Sequence, residues 1–125
     1  MSGTAQVRVV RVYTDDDRRA GEYRVLVDRL WPRGVSKQSI DFDLWAKEVA
    51  PSSELRRWYG HDPERFAEFR RRYRAELDDR SGPGAPVLAG IEEAARTRPV
   101  TLLTATRDTE RSGAEVLREL LQERL

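Results

Sequence analysis

The chain has 125 residues, no cysteine and a single histidine; 36% of it is charged, with 23 basic groups against 22 acidic ones, a formal net charge of +1. That length suits one domain able to bury its own core. The missing cysteines exclude thiolate catalysis, cysteine-based zinc sites and a disulfide framework, and the balanced charge lacks the basic excess of a dedicated nucleic-acid binder.

Residues 1–8 hold no apolar signal-peptide core, and no run reaches the roughly 18 apolar residues of a membrane span. A cytoplasmic location away from membranes is therefore the expectation. Val7 to Tyr13 is rich in β-branched residues and reads as a strand. Asp15-Asp16-Asp17 lies in a polar turn that either attracts a cation weakly or is simply solvated. Tyr23 to Leu30 reads as a second strand, apolar on both faces at Val25-Leu26-Val27, as in a central strand. The short link between the two predicts an antiparallel pair. Pro32 ends the second strand, because proline cannot donate to a sheet ladder.

Residues 32–50 are irregular around Trp45. Ser52 is a capping residue for a helix that Gly60 ends. Asp62-Pro63-Glu64 repeats the start signal. The helix that follows, to about Asp79, lines up Phe66, Phe69, Tyr73 and Leu77 on one stripe. After a break at residues 81–86, Val87, Leu88, Ile91, Ala94 and Ala95 mark another helix. Val100 to Leu103 is a short buried strand, and Ser112-Gly113-Ala114-Glu115 is a capping box for a last helix. The expected fold is α/β. It has a small mixed sheet of three or four strands, an N-terminal antiparallel pair plus a later strand, covered by helices.

Ligands in open α/β sheets gather beyond the carboxyl ends of strands. The second strand runs into Arg29, Trp31, Arg33 and Lys37, and the later strand into Thr104, Thr106, Arg107 and Asp108. If those strands are parallel neighbours, three arginines and two hydroxyls share one rim, which suits a phosphate or carboxylate. The competing reading makes Arg29 and Arg33 structural, bridged to Asp28, Asp43 or Asp108, with Trp31 as a core plug. His61 could act as a general base oriented by Asp62. Alternatively Asp62 caps the next helix and His61 bonds to backbone in the turn. One histidine without cysteines points to no metal site, and without glycine-rich dinucleotide or phosphate loops no cofactor is expected.

Arg70-Arg71-Arg72 with Arg74 is the densest basic run and offers an alternative nucleic-acid surface. Glu64, Glu68, Glu76, Asp78 and Asp79 on the same helix dilute it. A non-catalytic interaction module is a third reading. Whether the chain is an enzyme, and in what oligomeric state, stays open at this level.

Several strings in the chain resemble one family over roughly residues 7–122. They are Asp28-Arg29-Leu30-Trp31-Pro32-Arg33-Gly34 with Lys37, then Trp45, Ala50-Pro51-Ser52, Leu55-Arg56, Trp58 and Gly60-His61-Asp62-Pro63. Phe69, Tyr73, Val100-Thr101-Leu102-Leu103 and Arg107-Asp108 with Glu110 complete the set. They are similar to the YeaO-like branch of the family called domain of unknown function 488. The resemblance implies one small bacterial α/β domain over residues 1–125 and no settled activity. Two positions depart from its pattern: Thr104 replaces an aromatic, and Arg111-Ser112 replaces a His-Asn pair. A histidine supplied by that last loop is thus absent.

Overall fold

A computed structural model describes residues 6–14 and 18–125. The acidic run Asp15 to Asp17 lies outside the described residues. Four strands, β1 (Val7–Arg11), β2 (Tyr23–Leu26), β3 (Leu44–Trp45) and β4 (Val100–Thr104), form one sheet in the order β1-β4-β2-β3. Every pairing is parallel. The expected antiparallel pair is therefore incorrect: β1 and β2 do not touch, and β4 lies between them. The reason is reach. Eleven residues separate the strands, and extended chain covers about 3.3 Å per residue. That is enough to return along a five-residue strand and skip one sheet position.

Four helices follow the sequence signals: α1 (Ser53–Tyr59), α2 (Phe66–Asp78), α3 (Gly84–Ala95) and α4 (Gly113–Glu123). Ser52 caps α1 by accepting from Leu55 N, and Gly60 ends it in the left-handed region at φ 53°. Asp62 caps a short 3-10 turn that leads into α2. Ser112 caps α4 by accepting from Glu115 N.

All four helices pack on one face of the sheet. Val7, Val25, Val27, Val100 and Leu102 meet Leu55, Phe69, Tyr73, Ile91, Leu117 and Leu121 there in one buried cluster. Strand side chains alternate between faces, so Leu26 and Leu103 point the other way. Among the described residues no α-helix packs on that opposite face. The segment joining β2 to β3 covers it, with Trp31, Val35, Ile40 and Phe42 packed over Leu26 and Leu103.

At the amino ends of the strands the helix-free face turns ionic. Glu22 is fully buried. Its carboxylate accepts from Arg8 Nη2 at 2.8 Å, Arg19 N at 2.8 Å and Arg24 Nη1 at 3.3 Å, and also from the Thr101 hydroxyl. Burial alone would raise its pKa, but the hydrogen bonds from Thr101, Arg8, Arg19 and Arg24 outweigh it and hold the group at about 2. A buried charge is tolerated only when paired and bonded in this way.

Candidate ligand-binding rim

At the carboxyl ends of the strands the chain diverges. β4 leads toward α4 on the helical face, whereas β2 leads into the covering segment on the other. The crevice between such diverging connections is where open α/β sheets place ligands. Asp28 stands at that junction. Its Oδ1 accepts from Thr104 Oγ1 and its Oδ2 from Ala105 N, both at 2.7 Å. Its backbone carbonyl accepts from Trp45 Nε1 at 2.8 Å, so one residue ties the ends of β2, β3 and β4. Thr104 Oγ1 in turn accepts from Thr106 N at 3.2 Å. Burial pushes the Asp28 carboxyl upward, against the two hydrogen bonds and the field of His61.

The loop after β2 separates residues that the sequence grouped together. Arg29 turns away from the junction and donates from Nε and Nη2 to the Pro51 carbonyl at 3.4 and 3.2 Å. Trp31 is a plug for the helix-free face. It meets Phe42 and Trp45 edge-on at 5.6 and 5.3 Å and donates from Nε1 to the Val35 carbonyl at 2.6 Å. Gly34 takes φ 77°, which a side chain would resist.

Arg33 is exposed, and its guanidinium has no acceptor among the described residues; the same holds for Arg107. Lys37 begins a short exposed 3-10 turn. None of the acids suggested as braces takes Arg29 or Arg33. Asp28 is bonded to Thr104 and Ala105, Asp43 to Arg18 and the Arg24 amide, and Asp108 to Arg111 at 3.0 Å.

His61 follows Gly60 and also has a positive φ, 57°. Its ring lies 6.0 Å from that of Tyr59, whose hydroxyl donates to the Arg111 carbonyl at 2.6 Å. Asp62 does not orient it: that carboxylate accepts from Glu64 N at 3.0 Å and lies 3.6 Å from Arg65 Nε. Protonated, His61 would favour the ionised form of Asp28 through its field.

Two residues at the rim escaped the sequence reading. Arg11, the last residue of β1, is the register partner of Thr104. Its Nε is buried and has no hydrogen-bond partner, the one such side-chain atom among the described residues. Its guanidinium lies over the Tyr13 ring at 4.7 Å, and the Tyr13 hydroxyl donates to the Arg33 carbonyl at 2.9 Å. A signal was present: in Val7-Arg8-Val9-Val10-Arg11, alternation puts Arg11 on the face of Val7 and Val9, where a cation is out of place.

The basic run on α2 is internally matched. Arg70 reaches Glu119 at 2.8 Å, Arg71 and Arg72 share Glu68 at 2.5 and 2.7 Å, and Arg74 reaches Glu123 at 2.5 Å. Phe69 and Tyr73 are buried, and Trp58 is stacked beneath Arg72 and Arg65 at 4.5 and 5.2 Å. Among the described residues no three His, Asp or Glu side chains are grouped to hold a metal ion. No helix among them is long and apolar enough to cross a membrane.

Residues 6–125 match the family model described as the inactive DUF488-N3 subclade. The chain is 49% identical to the uncharacterised protein Rv3073c of Mycobacterium tuberculosis over 119 residues, which cover 95% of this chain and 96% of that one. It is 37% identical to the uncharacterised protein YeaO of Escherichia coli over 116 residues, covering 93% and 96% of the two chains. No solved structure gives a significant match.

Proposed function

This chain belongs to the YeaO-like DUF488 family, in the subclade described as inactive, and we propose that it binds a small phosphate- or carboxylate-bearing molecule at the rim without transforming it. The observation that carries the proposal is the buried Arg11 Nε that lacks an acceptor. An unmet buried donor costs about 1–3 kcal/mol, and an oxyanion beside β1 would satisfy it. Tyr13 links Arg11 to the Arg33 loop, so Arg33 supplies a second cation. Arg107 and the Thr106 hydroxyl follow β4 and complete the donor set, with Lys37 adding long-range attraction. Arginine's forked donors suit this class of ligand.

Three features support binding over catalysis. Asp62 is spent on a helix cap, so it does not orient His61 as a base. Asp28 has both oxygens occupied by the fold. The subclade's description as inactive agrees with both.

Thermal shift with inorganic phosphate, pyrophosphate, adenosine monophosphate and citrate tests the reading. A ligand at one hundred times its Kd stabilises the fold by about 2.7 kcal/mol. The proposal expects such a shift in wild type and its loss in Arg33→Ala. It fails if none of the four stabilises the protein, or if Arg33→Ala responds as wild type does. The α2 surface is the weaker alternative, because each of its arginines already has a carboxylate. Salt-sensitive binding to duplex or single-stranded DNA that disappears when Arg71 and Arg74 are both alanine would favour that surface instead.

A further inference from the structure

Arg29 does not share the rim; it lines a separate cavity of about 180 Å³ between the Glu48–Ser52 segment, the end of α2 and the start of α3. Glu48, Glu76 and Asp79 line the same cavity, yet none forms an ion pair with Arg29 among the described residues. The guanidinium makes only its two long contacts to the Pro51 carbonyl. Glu76 and Asp79 accept from Ser52 and Ser81, and their charge is not neutralised by those neutral donors. Unlike charges thus border one small space without meeting across it. Tyr73, Leu77 and Leu88 form its apolar wall.

We propose that this cavity binds a small aliphatic α-amino acid, its carboxylate on Arg29, its ammonium toward the Glu48–Glu76–Asp79 side and its side chain against Leu77 and Leu88. A simple anion would satisfy Arg29 and be repelled by three carboxylates. A simple cation would meet the reverse mismatch. A zwitterion is complementary to both. Size gives the second restriction. Sites for drug-sized molecules measure roughly 300–1,000 Å³, so this one admits only a few heavy atoms, which limits the ligand to the alanine-to-valine range. The cavity wall is also fixed. A Cβ on Gly84 would come within 2.4 Å of the Glu48 carbonyl oxygen, so only glycine lets α3 approach the Glu48 segment this closely.

The test is calorimetric titration of the full chain with L-alanine and L-valine beside two truncated probes: isovalerate, which has no amine, and valinamide, which has no carboxylate. L-valine should bind with each truncated probe at least about ten-fold weaker, because each leaves one set of charges unmatched. Glu48→Gln and Asp79→Asn, two exposed substitutions with little bearing on folding, should together weaken L-valine by a similar factor. Arg29→Gln should abolish binding, and Arg33→Ala should leave it unchanged, which separates this site from the rim. Failure of both amino acids to bind overturns the proposal. So does isovalerate or valinamide binding as tightly as L-valine, or unchanged L-valine affinity in Glu48→Gln/Asp79→Asn.

Discussion

The Asp28 carboxylate accepts from the Thr104 hydroxyl at 2.7 Å across the junction of β2 and β4, and this contact pins the carboxyl ends of the two strands together. Replacing Asp28 with alanine leaves the Thr104 hydroxyl and the Ala105 amide unmatched. Charge-assisted bonds of this kind contribute about 1.5–3 kcal/mol each, reduced by the cost of burying the carboxylate. A net loss of about 2–3 kcal/mol is expected in urea unfolding. Because burial raises the folded pKa, the ionised carboxylate is the disfavoured form. The stability linked to the protonated carboxyl is therefore complete below the unfolded pKa and declines as pH rises through the folded value. Titration of the Asp28 side-chain carbon by NMR should give a midpoint above about 3.9, the ordinary aspartate value.

Glu22 behaves in the opposite sense. Its folded pKa of about 2 lies below the reference value of 4.5, so its stabilisation is present above the unfolded pKa and disappears as pH falls through the folded one. One pKa unit corresponds to about 1.36 kcal/mol, and a loss of roughly 2–3 kcal/mol is expected between about pH 4.5 and pH 2. Glu22→Gln should be less stable at pH 7 and show a flatter acid limb in that window. An unchanged acid limb would remove Glu22 from the account of acid stability.

Gly84→Ala places a methyl carbon against the Glu48 carbonyl. Backbone has to move to admit it, and overpacking of this sort costs about 1–3 kcal/mol. The same change at Gly90, where an added Cβ meets nothing within 4 Å, should instead raise helix stability by about 1 kcal/mol. Chemical denaturation of the two variants side by side checks the contrast.

His61 carries a left-handed backbone that costs a non-glycine residue about 1 kcal/mol. His61→Gly should recover that strain and raise the unfolding free energy by up to about 1 kcal/mol. A fall in stability would mean that the ring contact with Tyr59 outweighs the strain.

The helices were legible because their signals are local. Ser52, Asp62 and Ser112 cap helices as their positions suggest, and Phe69, Tyr73 and Leu77 are buried along one stripe. Strand pairing was not legible, since the insertion of β4 between β1 and β2 depends on contacts more than seventy residues apart along the chain. The site divided along the same line. The position of the rim beyond β2 and β4 followed from the strand ends. The turning of Arg29 toward Pro51 and the arrival of Arg11 beside Thr104 depend on tertiary placement. Arg29 adjoins Asp28 in sequence, yet it lines the other cavity.

The helix-free face has a dynamic consequence. The β2–β3 segment that covers it holds on through Trp31, Val35, Ile40 and Phe42, with one three-residue 3-10 turn at Lys37–Ser39 as its regular secondary structure. Elements of that kind open at a free energy below that of global unfolding. Native-state hydrogen exchange should therefore show the Ser39 and Asp43 amides, which donate to the Ser36 and Arg24 carbonyls at 3.0 and 2.8 Å, exchanging through a sub-global opening, while Leu102 and Leu117 report the global one. The same opening would carry Arg33 and Lys37 away from the strand ends. Affinity at the rim and protection of this segment would then rise and fall together, so that a ligand held by Arg33 also acts as a clamp on one side of the sheet.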